Sequence, residues 1–286
     1  MKALALALLV ACVPAFAQGV LLRDDRGREQ RFERVPARIA TLLPSLTETV
    51  CALGACSRLV GVDRFSNWPP QVKQLPQLGG LEDPQVERTV ALKPDVVLAP
   101  KSSRIVERLE SLGLAVLVFD SDRHEDVQRA VLQVARLLGT PAEGEGLWAR
   151  VEAEIDAAAA RVPARLRGKA VYFEVASTPY AAGAGSFIGQ TLARLALGNI
   201  APAALGPFPP LNPEFIVRAQ PALVMAPRAE VKAMASRPGW AALAALRAGQ
   251  ACGFDEAKYE LLVRPGPRLG EAAGVIADCL AGLPAP

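Results

Sequence analysis

The phrase VERTVALKPDVVLAP at 86–100 returns as PEFIVRAQPALVMAP at 213–227, and this recurrence constrains the fold more than any other feature of the chain. Laid over each other, the copies share Glu87/Glu214, Val90/Val217, Pro94/Pro221, Val97/Val224, Ala99/Ala226 and Pro100/Pro227. Each copy reads as a short helix, a break at proline and an apolar strand. The apolar and proline matches are what any helix–turn–strand unit would show. The glutamate is different, because no core needs a carboxylate there; a local role for it is a favourable interaction with the helix dipole.

Both copies sit inside runs of alternating strands and helices. In the first run RIATLL (38–43) is a strand and PSLTETVCAL (44–53) a helix, with Ser45 as cap and Glu48 completing a capping box. RLVGV (58–62) is a strand, SNWPPQV (66–72) an irregular loop, SRIVERLESLG (103–113) an amphipathic helix, AVLVFD (115–120) a strand and DVQRAVLQVARLLG (126–139) a helix. After residue 165 the alternation restarts. AVYFEV (170–175) is a strand, SFIGQTLARLAL (186–197) a helix, a last strand lies near Ala251, and a helix runs from about Arg268 to Gly282. Between the runs, LWARVEAEIDAAAARV is rich in Ala, Glu and Arg and reads as one long helix. Strand–helix alternation implies mostly parallel sheets covered by helices. The expected fold is therefore α/β with two lobes joined by one backbone helix: a leader at 1–17, an N-terminal lobe at 18–141 opening with a short hairpin, the helix at 142–165 and a C-terminal lobe at 166–286. A chain of 286 residues is ample for two such lobes.

The N-terminus MKALALALLVACVPAFAQ carries a Lys, an apolar run and a small-x-small site at Ala15-Phe16-Ala17, the pattern of a secretory signal peptide cleaved after Ala17. The competing reading is a lipoprotein box, Leu9-Val10-Ala11-Cys12, with Cys12 as a lipid anchor. Export to the periplasm changes how the cysteines read. Cys51, Cys56, Cys252 and Cys279 remain, and an even number in an oxidising compartment points to two disulfides, one within each lobe. Four buried free thiols are the alternative.

Several functions are excluded by residue type. The one histidine, His124, cannot build a His-based metal cluster, and in DSDRHED it reads as a solvated loop residue. There is no G-x-S-x-G turn, no Walker A sequence and no H-E-x-x-H. Gly183-Ala184-Gly185 with Gly189 imitates a dinucleotide fingerprint, but STPYAA separates it from the strand and no acidic residue follows at the right distance, so it reads as a flexible loop carrying Tyr180 to a surface. A net charge of +3, with no basic stripe interleaved with aromatics, argues against nucleic acid. The remaining classes are a ligand-binding protein, an α/β enzyme and a surface scaffold.

Aromatic residues make up only 5%, so their placement is informative. Phe65, Trp68, Tyr180, Phe208 and Tyr259 all lie in or beside Pro/Gly-rich loops after strands. Ligands of α/β sheets bind beyond the carboxyl ends of strands, so these rings are candidates to stack on a large, flat ligand between the lobes. RPGPR (264–268) places Arg264 and Arg268 near Glu260, and an arginine in a cleft can grip a carboxylate, phosphate or amide oxygen.

RIATLLPSLTETVCALG, LVGVDRFSNWPPQV, VERTVALKPDVVLAP and RPGPRLGEAA together resemble the periplasmic binding proteins with a rigid helical backbone, the receptors for cobalamin, ferric siderophores and haem. The pattern is most similar to the cobalamin-binding member. The resemblance implies a non-catalytic receptor, expected as a monomer, whose metal chelate is transported cargo rather than a cofactor. It implies an ABC permease with its ATPase as partner. It also implies that Glu87 and Glu214 pair with permease arginines, that Phe65 or Trp68, Tyr180 and Phe208 face the corrin, and that Glu260 and Arg264 complete the cleft. The sequence departs from that member where LGGLED and LAPKSS replace two cleft tryptophans. Lys101 stands in the second of these loops and would favour an anionic ligand. Tyr180 or Tyr259 would serve as an iron ligand in a haem receptor.

Overall fold

The computed structural model describes residues 19–177 and 179–285. The leader and Cys12 lie outside the described residues. The chain begins with a hairpin of β1 (Val20–Arg23) and β2 (Glu29–Phe32), paired antiparallel. β3 (Ile39–Thr41), α1 (Pro44–Ala52), β4 (Leu59–Val62), α2 (Val86–Ala91), β5 (Val96–Pro100), α3 (Val106–Ser111), β6 (Val116–Phe119) and α4 (His124–Leu138) follow in alternation. β3 to β6 form one parallel sheet in the order β4-β3-β5-β6. β5 is buried on both faces, and the period of two assigns its side chains. Val96 and Leu98 join a core with α1 and α4, whereas Val97 and Ala99 join another with α2 and α3.

α5 (Pro141–Arg161) is the long helix, 21 residues and thus about 32 Å. It belongs to both lobes: Leu147 packs into the N-terminal core, and Trp148, Val151, Ile155 and Ala158 pack into the C-terminal one. It ends at Arg161 rather than 165, and Ala164–Leu166 form a separate 3-10 turn. The C-terminal lobe then contains β7 (Ala170–Ala176), β8 (Tyr180–Ala181), α6 (Phe187–Arg194), β9 (Gly198–Asn199), α7 (Pro213–Ala219), β10 (Leu223–Pro227), α8 (Arg228–Met234), α9 (Ala244–Arg247), β11 (Ala251–Phe254), α10 (Glu256–Leu262) and α11 (Leu269–Ala281). Its sheet runs β11-β10-β7, all parallel, with β8 antiparallel and β9 parallel beside β7. α11 closes the lobe by packing its buried Ile276, Ala277 and Leu280 into the core shared with α5.

The recurring phrase has the same structure in both lobes. α2 precedes β5 as α7 precedes β10, and the residues before the two prolines, Lys93 and Gln220, both adopt left-handed backbone at φ 46° and 42°. A residue before proline is disfavoured in the right-handed helical region, and both helices have ended before it, at Ala91 and Ala219. Both expected disulfides are present, Cys51–Cys56 with Cα atoms 4.1 Å apart and Cys252–Cys279 at 5.9 Å.

Three expectations are corrected. Leu43, not Ser45, precedes the first turn of α1, and Pro44 occupies its first position, so Ser45 and Glu48 form no capping box; both are buried. His124 is no loop residue. It opens α4 and is buried, because α6 of the other lobe covers it. The glycine-rich turn is not loose: a Cβ on Gly189 would fall 2.0 Å from the Gly183 carbonyl oxygen, and Ser186 caps α6 by accepting from the Gly189 amide at 3.0 Å. The glycines there serve close packing.

Candidate functional site

The lobes meet along two polar seams. In one, the N-termini of α4 and α6 abut. The Phe187 amide donates to the Asp122 carbonyl at 2.5 Å, and the His124 amide donates to Gln190 Oε1 at 2.6 Å. His124 Nε2 lies 2.9 Å from Thr191 Oγ1. The only proton of Thr191 goes to the Phe187 carbonyl at 2.8 Å, so Nε2 is the nitrogen that carries hydrogen. Burial holds the His124 pKa below its ordinary value.

The other seam centres on Arg264, in the loop between α10 and α11, whose side chain is 9% exposed. Its Nη1 donates to Glu48 Oε1 and Asn67 Oδ1, both at 2.8 Å, and its Nη2 to the Phe65 carbonyl at 3.1 Å and Glu260 Oε2 at 3.0 Å. Asn67 Nδ2 also donates to Glu260 Oε2 at 2.8 Å. Burial raises the pKa of Glu48, and the Arg264 guanidinium opposes that rise. Arg268 stands 4.3 Å over the ring of Trp68 and pairs with Glu271. Beside this seam lies a cavity of about 280 Å³ lined from both lobes, by Pro44, Ser45 and Phe65 on one side and Glu260, Val263 and Arg264 on the other. A larger cavity of about 770 Å³, reached by Glu214 and Arg237, belongs to the C-terminal lobe alone.

The expected aromatic group divides in two. Phe65, Trp68 and Tyr180 are 59%, 42% and 42% exposed. Leu81 and Leu205 are exposed as well: Phe65, Trp68 and Leu81 follow β4, Tyr180 opens β8 and Leu205 ends a 3-10 turn after β9, while Leu21 on β1 and Leu112 at the end of α3 are exposed elsewhere. Phe65 also carries the Arg64 guanidinium 5.2 Å from its centroid. Phe208 and Tyr259, by contrast, are packed on their own lobe. Phe208 meets Phe187 edge-on at 6.0 Å, and Tyr259 stacks on Phe173 at 6.4 Å. The Tyr259 hydroxyl donates to the Val175 carbonyl at 3.0 Å, and burial pushes its pKa up. Lys101 is exposed and paired with Asp120 at 2.9 Å, so its charge is largely balanced. Glu87 and Glu214 are exposed in the first turns of α2 and α7, apart from the seams. Among the described residues no group of three His, Cys, Asp or Glu side chains could hold a metal ion, and no helix is long and apolar enough to cross a membrane.

Two parallel-sheet lobes, one helix shared by their cores and a cleft lined from both define a two-lobed ligand receptor. The chain belongs to the periplasmic binding protein family, whose description matches residues 39–257. It is 27% identical over 272 residues to the uncharacterized ABC transporter substrate-binding lipoprotein YvrC of Bacillus subtilis, covering 91% of this chain and 85% of that one. It is 33% identical over 201 residues to a cobalamin-binding protein of Halobacterium salinarum, covering 66% of this chain but only 53%, about half, of that longer one. Among solved structures, the periplasmic heme-binding protein RhuT from Roseiflexus sp. RS-1 superposes with a TM-score of 0.73 at 28% identity, covering 85% of this chain and 97% of that one.

Sequence reasoning missed Glu48 and Asn67. Their spacing from Arg264, 216 and 197 positions, leaves no local signal. The phrases PSLTE and RFSNW, which carry part of the resemblance, contain them.

Proposed function

We propose that this chain is the exported substrate-binding component of an ABC importer and that it captures cobalamin or a related corrinoid between its lobes. The observation that carries this reading is the cavity lined from both lobes, with the exposed ring of Phe65 on its wall; Tyr180, exposed on the C-terminal lobe, is proposed to meet the same ligand. Exposed rings on two rigid supports suit a broad, partly apolar ligand. The cobalamin-binding relative supports the corrinoid choice. A haem ligand is the second reading, supported by the solved haem-binding relative and by the exposure of Tyr180, which leaves its phenol accessible to iron. Ferric siderophores complete the class. The periplasm is the proposed location, with anchoring through Cys12 as the alternative, and a monomer the proposed state. Calorimetric titration of the apoprotein with cyanocobalamin, haemin and a ferric hydroxamate tests the ligand. Saturable one-to-one heat with cyanocobalamin is expected. Heat with haemin alone would replace the first reading by the second, and no heat with any of the three would remove both.

Delivery to the permease is proposed to use Glu87 and Glu214, which stand at equivalent points on the two lobes. Glu87→Ala and Glu214→Ala are expected to leave ligand affinity within about twofold, as surface changes do, while uptake by cells carrying the transporter falls about tenfold for loss of a charged interface contact. Loss of ligand affinity in either variant would place that glutamate in the cleft instead.

A further inference from the structure

RPGPR was read as a ligand grip, but the hydrogen-bond inventory leaves Arg264 little to grip with. A guanidinium has five N–H groups, four of them on the terminal nitrogens. Those four are matched by four acceptors: Glu48, Asn67, the Phe65 carbonyl and Glu260. Three of the four belong to the opposite lobe. We propose that Arg264–Arg268 is an inter-lobe clasp anchored on buried Glu48, and that Glu48 and Arg264 are positioning residues that hold Phe65 and set the angle between the lobes. The proposal deepens the binding reading above and rests on it only for the role of Phe65.

Each part of the segment serves this contact. Pro265 and Pro267 fix their own φ angles and stiffen the loop. Gly266 sits against α1: a Cβ there would lie 3.0 Å from Ser45 Cβ and 3.3 Å from its Cα, so any larger residue would push α1 or the loop away by a few tenths of an ångström. Arg268 extends the contact by covering one face of Trp68, and its Nη1 stands 3.8 Å from the same Glu48 oxygen that Arg264 holds. Trp68 therefore offers a ligand one face, whereas Phe65 is held by its backbone and its side chain is 59% exposed, with Arg64 near one face of the ring. Among the described residues Glu260 spends only Oε2 on the clasp. Its Oε1 is the acceptor left to the cavity that Glu260 lines.

A buried ion pair is weak evidence for added stability, because removing two charges from water offsets much of their attraction. Its geometric demands are strict, and a pair serving four acceptors admits only one relative placement of the lobes. Arg264→Lys keeps the charge but has three donors on one nitrogen and no fork, so it cannot reach four acceptors spread around a plane. Glu48→Gln keeps the shape and removes the charge.

The test reads lobe geometry without ligand, so it stands even if the ligand assignment fails. Spin labels at Arg104→Cys and Lys232→Cys, exposed on opposite lobes, report the inter-lobe distance by pulsed electron resonance. The parent is expected to give one narrow distribution. Arg264→Lys and Glu48→Gln are expected to broaden it about twofold and shift it to longer distance, as released hinges do. Trp148 and Trp240 are 6% and 1% exposed, so acrylamide quenching reports mainly on Trp68. Its quenching constant should rise about twofold in both variants as Arg268 leaves the ring. A urea titration of each variant establishes that it is folded, and the apolar pair Glu48→Leu with Arg264→Met supplies a folded variant without the clasp. An unchanged distance distribution and unchanged quenching in folded variants would overturn the proposal and return Arg264 to a purely local role.

Discussion

Arg237→Ala is expected to lower the unfolding free energy by about 3–5 kcal/mol, the usual cost of leaving a buried charge without its partner. The charge is Glu174 on β7, whose side chain is fully buried. Arg237 forks onto it with contacts of 2.6 and 2.9 Å, and the Tyr172 hydroxyl donates to it at 2.7 Å. Arg237 is held in turn by Glu230 at 2.7 Å and by the ring of Trp240, 4.7 Å from its guanidinium carbon. Its bond to Glu174 raises the Arg237 pKa, as expected for a cation facing a desolvated carboxylate. Removing Arg237 leaves the buried Glu174 carboxylate with the Tyr172 hydroxyl as its only remaining side-chain partner among the described residues. Removing both charges is different: Glu174→Leu with Arg237→Met exchanges two desolvated ions for apolar contacts, and most of the loss should be recovered. Urea midpoints of the three proteins decide this. An Arg237→Ala loss below about 1 kcal/mol, the range of an exposed pair, would mean that water reaches Glu174 in solution.

The same residues show why the sequence exposed some features and hid others. β5 could be read because each of its residues is buried, and its helix, proline and strand are a local pattern repeated 127 positions later. The ends of α2 and α7 follow from the prolines beyond them, because a residue before proline is kept out of the right-handed helical region. Glu174 sits in AVYFEV, which reads as a strand whichever way the carboxylate points; its partner is 63 positions away and gives no local signature. Glu48 was misread for a definite reason. Ser45 and Glu48 have capping-box spacing, but Pro44 starts the helix one residue earlier and turns that spacing into an interior one. His124 is surrounded in sequence by charges, of which Asp122, Arg123 and Glu125 face solvent, while the helix covering it comes from the other lobe. The aromatic loops were legible as a group. Their division was not, because exposure depends on what each ring meets: Phe187 and Phe173 cover Phe208 and Tyr259, and nothing comparable covers Phe65 or Tyr180 among the described residues.

That division sets the largest functional effect to be expected. Phe65→Ala and Tyr180→Ala should each weaken ligand binding about tenfold, and the double variant about 100-fold, at roughly 1.4 kcal/mol per ring. The estimate follows from their exposure. A ring that is about half open in the free protein has apolar surface still to bury, and a ligand lying on it gains that burial together with the stacking term. The two rings stand on loops of different lobes, so their contributions should add unless the ligand shifts to compensate. Neither substitution removes core contacts, and unfolding free energies should stay within about 0.5 kcal/mol of the parent. Phe208→Ala and Tyr259→Ala should behave the other way, costing about 2–4 kcal/mol of stability through loss of packing against Phe187 and Phe173. Titrating all variants with cyanocobalamin and haemin in parallel keeps the result independent of which of the two is bound. If Phe208→Ala abolishes binding in a folded protein while Phe65→Ala leaves it intact, the ligand lies deeper in the C-terminal lobe. The cleft beside Arg264 would then be only the joint between the lobes.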